Sequence, residues 1–218
     1  MNEKPNDMMI CNRDPDEHDA KNFVLWWNQF GNRFFHVVQE NGKSVWKIVD
    51  QKMKLIHYTV SSIEYFEQRE YSQKNRPWQD KPNGLWVSVE VGHRLPNNYD
   101  WKEWCESENY RTEALAFSYE IILKEDANIL HLKTKEEIIE FSKQYLHGDD
   151  EWDTSQIEWH EVKKRYQGII ISPYQRDCRL CLETLWYYVW DCSSGCIWDL
   201  SCIKEFIQQK VHAQSTHL

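Results

Sequence analysis

Lys54-Leu55-Ile56-His57-Tyr58-Thr59 and, after a polar interval, Lys81-Pro82-Asn83-Gly84-Leu85-Trp86-Val87-Ser88 are the stretches whose reading decides the fold. Leu55 to Tyr58 is a short apolar strand that ends on a histidine. Leu85 to Val91 alternates apolar and polar residues at the period of a half-buried strand. Pro82-Asn83-Gly84 punctuates the entry to the second strand as a turn does. Between the two, Ser61 or Ser62 is placed to cap a short helix through Ile63 and Phe66. Tyr71 to Gly84 is polar and carries two prolines, so it reads as a loop.

Outward from these strands the chain mixes helices and strands without a repeating βαβ rhythm, which predicts an α+β fold. On the N-terminal side, Met1 to Arg13 reads as a tail. Asp14-Pro15 opens a helix whose apolar positions Ala20, Phe23, Val24, Trp27 and Phe30 run to Gly31. Phe34 to Gln39 and Ser44 to Asp50 flank Asn41-Gly42, a hairpin signal. On the C-terminal side, Trp101 to Cys105 reads as a helical turn, and Leu115 to Leu123 and Asn128 to Leu132 as strands. Thr134 with Glu137 forms a capping box for a helix through Tyr145 that buries Ile138, Phe141 and Tyr145. A helix over Ser155 to Tyr166 turns Ile157 or Trp159, with Val162, inward. Gly168 to Ser172 is a continuous apolar run before Pro173 and predicts an interior strand. A Trp- and Tyr-rich strand over Thr184 to Asp191, a turn at Ser194-Gly195 and a closing helix over Leu200 to Gln208 complete the reading.

Composition narrows the function classes. The chain has 218 residues, twelve of them Trp, and a formal net charge of −9. So many large rings must fill a core or line a cleft. The negative balance argues against nucleic acid as a partner. No apolar run is long enough to span a bilayer, and Met1 to Pro15 lacks the pattern of a secretory signal. Seven Cys, an odd number, fit free thiols in a reducing compartment. The expected location is cytoplasmic, the host cytosol included if the chain is a viral or effector protein. GxGxxG, the P-loop and HExxH are absent, which removes the Rossmann, P-loop and zincin readings.

Three segments in order carry a resemblance: His57-Tyr58-Thr59, Gly84-Leu85-Trp86-Val87-Ser88, and Tyr166-Gln167-Gly168-Ile169-Ile170 before a last aromatic segment ending at Asp191. Their order is similar to that of the ADP-ribosyltransferases of the diphtheria-toxin and poly(ADP-ribose) polymerase type, over roughly Leu55 to Trp198. It also resembles small viral, phage and bacterial-effector proteins with Lys-Pro-x-Gly-Leu-Trp and Trp-Asp-x-x-Ser-Gly-Cys-Ile-Trp. The resemblance implies a twisted, split antiparallel sheet with edge-packed helices, NAD as the bound molecule, and transfer of a single ADP-ribose to a protein acceptor. His57 would hydrogen-bond the adenosine ribose. Tyr58 and Thr59 would hold the carboxamide through their backbone. Trp86 would stack on the nicotinamide ring beside Ser88, with Gly84 at the entry. Asp191, at the end of the expected strand, would be the carboxylate that strengthens its hold on the ribose 2′-hydroxyl as charge develops. Two positions depart from the family: the acid is Asp rather than Glu, and the stacking ring Trp rather than Tyr. Asp199 competes with Asp191.

Each of these residues has a structural alternative. His57 and Trp86 are also plausible core residues, Gly84 a turn residue with positive φ, and Asp191 a cap. The expected domain layout is a tail over 1–13, an N-terminal helix and hairpin over 14–50, and an ADP-ribosyltransferase-like domain over 51–211. Two rival functions stand beside the transferase. One is a binding protein that keeps the fold without turnover. The other is a small module stapled by zinc at Cys178, Cys181, Cys192 and Cys196, whose spacing suits a tetrahedral site, although the apolar interval between the pairs argues for core and no metal is expected.

Overall fold

A computed structural model of the chain describes residues 8–10, 34–40, 43–49, 53–73, 81–91, 99–146 and 156–209. Contacts divide the chain into two compact units, Met1–Lys52 with Val91–His93, and Met53–Glu90 with Arg94–Leu218. The first holds a three-stranded antiparallel sheet in the order β1-β3-β2. Its strands are β1 (Met8–Ile10), β2 (Phe34–Glu40) and β3 (Lys43–Val49). The β2–β3 ladder closes at Glu40↔Lys43, so the loop spans the two residues that the Asn-Gly pair predicts. Strand β1 lies in the stretch that the sequence leaves as a tail. The helix expected from Asp14 to Gly31 falls outside the described residues.

The second unit is built on a seven-stranded, mostly antiparallel open sheet in the order β10-β6-β4-β5-β9-β8-β7. Its strands are β4 (Lys54–Thr59), β5 (Leu85–Glu90), β6 (Phe117–Leu123), β7 (Ile129–Leu132), β8 (Gly168–Ile171), β9 (Ser194–Ile197) and β10 (Ile203–Gln208). Only β7 and β8 run parallel, and the helix Lys135–Tyr145 lies between them in sequence, the crossover that a parallel pair demands. Thr134 and Glu137 form the expected capping box, and Ile138, Phe141 and Tyr145 are buried as their spacing predicts. The fold is therefore α+β, with a few short helices on one continuous sheet.

Strand β8 explains its own sequence. Ile169 and Ile171 pack into an aromatic-rich cluster with Phe141, Trp159, Trp186 and Trp198, while Ile170 packs with Leu55, Val87 and Ile197. Alternate residues thus face two cores, and a strand covered on both sides reads as an unbroken apolar run.

Four expected elements differ in kind and a fifth is shorter than expected, as tertiary bonding overrides the local pattern. No helix follows Ser61 or Ser62. Instead the Ile63 amide donates to the Tyr119 hydroxyl, and Tyr71 donates to the Trp198 carbonyl, which keeps the segment irregular. Thr184 to Asp191 is not a strand but a kinked run of 3-10 turns over Leu182–Val189. Thr184, Tyr187 and Trp190 are buried at a three-residue interval, with Trp186 buried beside them, while Leu182 and Tyr188 are 75% and 49% exposed. Ser194-Gly195 is no turn but the start of β9, buried along its length. The closing helix is a 3-10 turn, Leu200–Cys202, followed by the edge strand β10. An edge strand is solvated on several sides, so Ile203 and Phe206 of β10, following Leu200 of the turn, fall at a spacing that mimics a helix. The helix expected over Ser155 to Tyr166 shortens to Trp159–Lys163, with Trp159 and Val162 inward. Among the described residues no helix is long and apolar enough to cross a membrane.

Candidate functional site

Strands β4 and β5 pair through Lys54↔Glu90, Leu55↔Val89 and Ile56↔Ser88, and then part. Beyond that point His57, Tyr58 and Thr59 continue on β6 alone, while Leu85 to Ser88 continue on β9. A cavity of about 310 Å³ opens at the fork, the lower end of the range for small-molecule sites. His57, Tyr58, Trp86, Ser88 and Asp191 all line it. Residues from three separated segments therefore meet in one place. Thr59 and Gly84 do not line it.

His57 spans the fork. Its Nδ1 lies 2.8 Å from the Trp86 carbonyl; a carbonyl only accepts, so Nδ1 carries the proton and donates. Burial holds the imidazole pKa below its ordinary value, partly offset by that bond. The ring is neutral at physiological pH, and Nε2 keeps a lone pair. The Tyr58 hydroxyl donates to Glu90 Oε1 at 2.6 Å. Burial, then Glu90, raises its pKa far above the usual phenol range.

Trp86 stands on the cavity face of β5, opposite Leu85, Val87 and Val89, which enter the second core. One side of its indole meets Trp190, with centroids 5.0 Å apart. Lys81 Nζ sits 5.2 Å from its centroid, a cation–π contact. Any planar ligand stacked there must share or displace that ammonium. The Ser88 hydroxyl accepts from the Trp101 amide at 3.0 Å, which ties β5 to the helix Trp101–Glu108. Gly84 is needed for space rather than for positive φ: a Cβ there would lie 2.5 Å from the Ile197 carbonyl oxygen and 2.7 Å from Cys196 Sγ.

Asp191 and Asp199 are now distinguishable. Asp191 borders the cavity and pairs through Oδ1 with Arg179 at 2.9 Å. The Arg179 guanidinium lies over the Tyr188 ring, 5.1 Å from its centroid, so the carboxylate is aimed by a partner that is itself held. Asp199 lies away from the cavity. It accepts from Gln167 Nε2 at 2.7 Å and from the Ser201 amide at 3.0 Å, capping the 3-10 turn.

The sequence did not point to Lys81, Trp101, Arg111 or Trp190, which also line the cavity. Trp190 had one available signal, its place beside Asp191. Arg111 has left-handed backbone, φ 47°, which no residue pattern announces.

Cys192 shares the cavity with His57, but burial pushes its thiol up to about 12. It is not a thiolate nucleophile at neutral pH. Cys178, Cys181, Cys192 and Cys196 do not converge on a metal-binding geometry. Among the described residues the one group of three or more ligand-type side chains within 4.8 Å of one another is Glu158, His160 and Glu161, where Glu161 is already paired with His160 and Lys164. Compared with protein-family models, curated proteins and solved structures, the chain finds no match.

Proposed function

We propose that the cavity at the β4–β5 fork binds NAD and that the chain is a mono-ADP-ribosyltransferase acting on a protein acceptor. The observation that carries this reading is the convergence of His57, Tyr58, Trp86, Ser88 and Asp191 on one cavity where two neighbouring strands part. On this reading the fork corresponds to the split of a transferase sheet. The cavity volume suits the nicotinamide and its ribose, and the rest of the dinucleotide projects outward, with Lys81 and Arg111 of the cavity lining supplying positive charge for the diphosphate.

The roles follow from the groups available. His57 Nε2 accepts from a ribose hydroxyl, since Nδ1–H is committed to the Trp86 carbonyl. The Trp86 face takes the nicotinamide ring as Lys81 moves aside toward the diphosphate. Asp191 accepts from the ribose 2′-hydroxyl and opposes the positive charge that develops at the anomeric carbon. The nicotinamide–ribose bond breaks with its electron pair going to the ring nitrogen. The acceptor nucleophile then bonds the anomeric carbon and loses its proton to solvent.

A second reading is favoured by one observation: Asp191 is ion-paired with Arg179, which weakens the negative charge offered to substrate. A protein that binds NAD without turning it over fits that pairing. Nicotinamide release by the full chain and by Asp191→Ala, together with NAD⁺ calorimetry, separates the readings. The transferase predicts release that falls by about 100-fold or more in the variant with binding retained. Binding without release in either protein supports the inactive reading. Absence of both removes NAD from this cavity.

A further inference from the structure

The helix Trp101–Glu108 buries only Cys105, although it carries two tryptophans. Trp101 and Trp104 stack on each other at 5.3 Å and 21°, and Tyr110 closes edge-on against both, at 6.3 Å and 5.4 Å. The rings stay half-buried or, for Tyr110, 47% exposed. An aromatic cluster kept at the surface rather than in the core marks a contact site. Its surroundings are acidic. Asp100, Glu103, Glu106 and Glu108 lie on the helix or cap it, Glu113 follows, and Glu106, Glu108 and Glu113 are exposed. The helix has no basic residue in its last turn; Lys102 and Arg111 are the cations of this segment. The excess is felt locally: Tyr58 experiences Glu90, Asp100 and Glu106 together, and the Glu103 and Glu90 charges add to burial in disfavouring ionisation of Asp100, against the Glu103 amide that favours it.

We infer that this face docks a lysine- and arginine-rich segment of a partner polypeptide, its cations lying against the Trp104 and Tyr110 rings and between the carboxylates. Cations gain twice here, from the ring faces and from the negative field. A second copy of the chain is a poor occupant, because it carries the same charge of −9. Nucleic acid is repelled for the same reason. The surface adjoins the cavity, since Trp101 and Arg111 line both. A residue on the docked segment therefore lies at the cavity mouth, in the place of an acceptor. The docking inference stands alone; the acceptor role rests on the transferase reading.

The test is fluorescence anisotropy of a labelled lysine- and arginine-rich peptide titrated with the full chain, beside a peptide with glutamate at every basic position. Binding of the basic peptide alone is expected, weakening as salt rises. Trp104→Ala and the pair Glu106→Gln with Glu108→Gln should each weaken it roughly tenfold. The pair should also flatten the salt dependence. Glu136→Gln with Glu140→Gln, an exposed acidic pair on another helix, should leave binding unchanged. No binding by the unaltered chain, or equal loss in the distant pair, overturns the inference. NAD⁺ calorimetry on the unaltered chain keeps the two ideas apart. Peptide binding without NAD⁺ binding ends the transferase reading and leaves the docking face standing.

Discussion

His131 shows how far one side chain can govern the response to pH. It sits on β7 opposite Ile170, with Nε2 buried and unpartnered. Burial, reinforced by Lys133, lowers its pKa from 6.5 to about 4. Between those values the unfolded chain binds a proton that the folded chain refuses, so stability falls as pH drops. The expected loss from pH 7 to pH 5 is on the order of 1–2 kcal/mol. His57, also held below its ordinary value, acts in the same direction. Asp100 opposes both: its folded pKa is raised to about 6, mainly by burial, so protonation on acidification favours the folded state. The two signs are separated by urea unfolding at pH 7 and pH 5. His131→Gln should lose less stability on acidification than the unaltered chain, and Asp100→Asn should lose more. Equal pH responses in all three would contradict the burial assigned to His131.

At the scale of elements, the segment Leu182–Val189 decides how much rests on reading alternation correctly. Thr184, Trp186 and Trp190 face inward as a strand would place them, and only the exchange of Tyr187 for Tyr188 betrays the 3-10 turns. Alternation is therefore a weak signal where aromatics outnumber polar residues, because nearly every position tolerates burial. By contrast, Thr134 with Glu137 and the β8 run were legible, since a capping box and a two-sided strand each leave a local mark. The candidate site divides the same way. His57, Trp86 and Asp191 were found through the order of their motifs, whereas Lys81 and Arg111 reach the cavity through loop geometry. Two substitutions test the elements that the sequence misplaced. Trp186 is 1% exposed and donates from Nε1 to Ser142 Oγ at 2.7 Å. Trp186→Ala should cost about 3–5 kcal/mol by denaturant unfolding. Gly195 lies within β9, where a Cβ would meet the Ile169 carbonyl oxygen at 2.7 Å. Gly195→Ala should cost about 1–3 kcal/mol as β8 and β9 are forced apart. A neutral result at Gly195 would return Ser194-Gly195 to a surface turn.

The whole second unit is assembled from strands distant in the chain: β5 pairs with β9 through Leu85↔Ile197, and β4 with β6 through Leu55↔Ile121. Sequence periodicity locates such strands but says nothing of their neighbours, so neither the strand order nor the fork between β4 and β5 was legible in it. Strand order has a consequence that the cysteines can report. Cys196 sits on β9 between β5 and β8, fully buried, and Cys192 lies just before it. Cys105, Cys178 and Cys202 are also buried, while Cys181 is partly exposed. Burial raises the Cys105, Cys178 and Cys202 thiols to about 11 and Cys192 to about 12, so they are protonated at pH 7.5 as well as shielded. Among the described cysteines, brief iodoacetamide treatment of the native chain, read by peptide mass spectrometry, should therefore modify Cys181 well before the other five. Cys196 requires the sheet to open between β5 and β9, and a domain of ordinary stability makes that at least about a thousandfold slower. Denaturant just below the unfolding midpoint should bring the buried five up together, because one sheet links the cores that hold them. Modification of Cys196 at the rate of Cys181 would mean that β9 does not lie inside the sheet, and the wall that carries Asp191 into the cavity would fall with it.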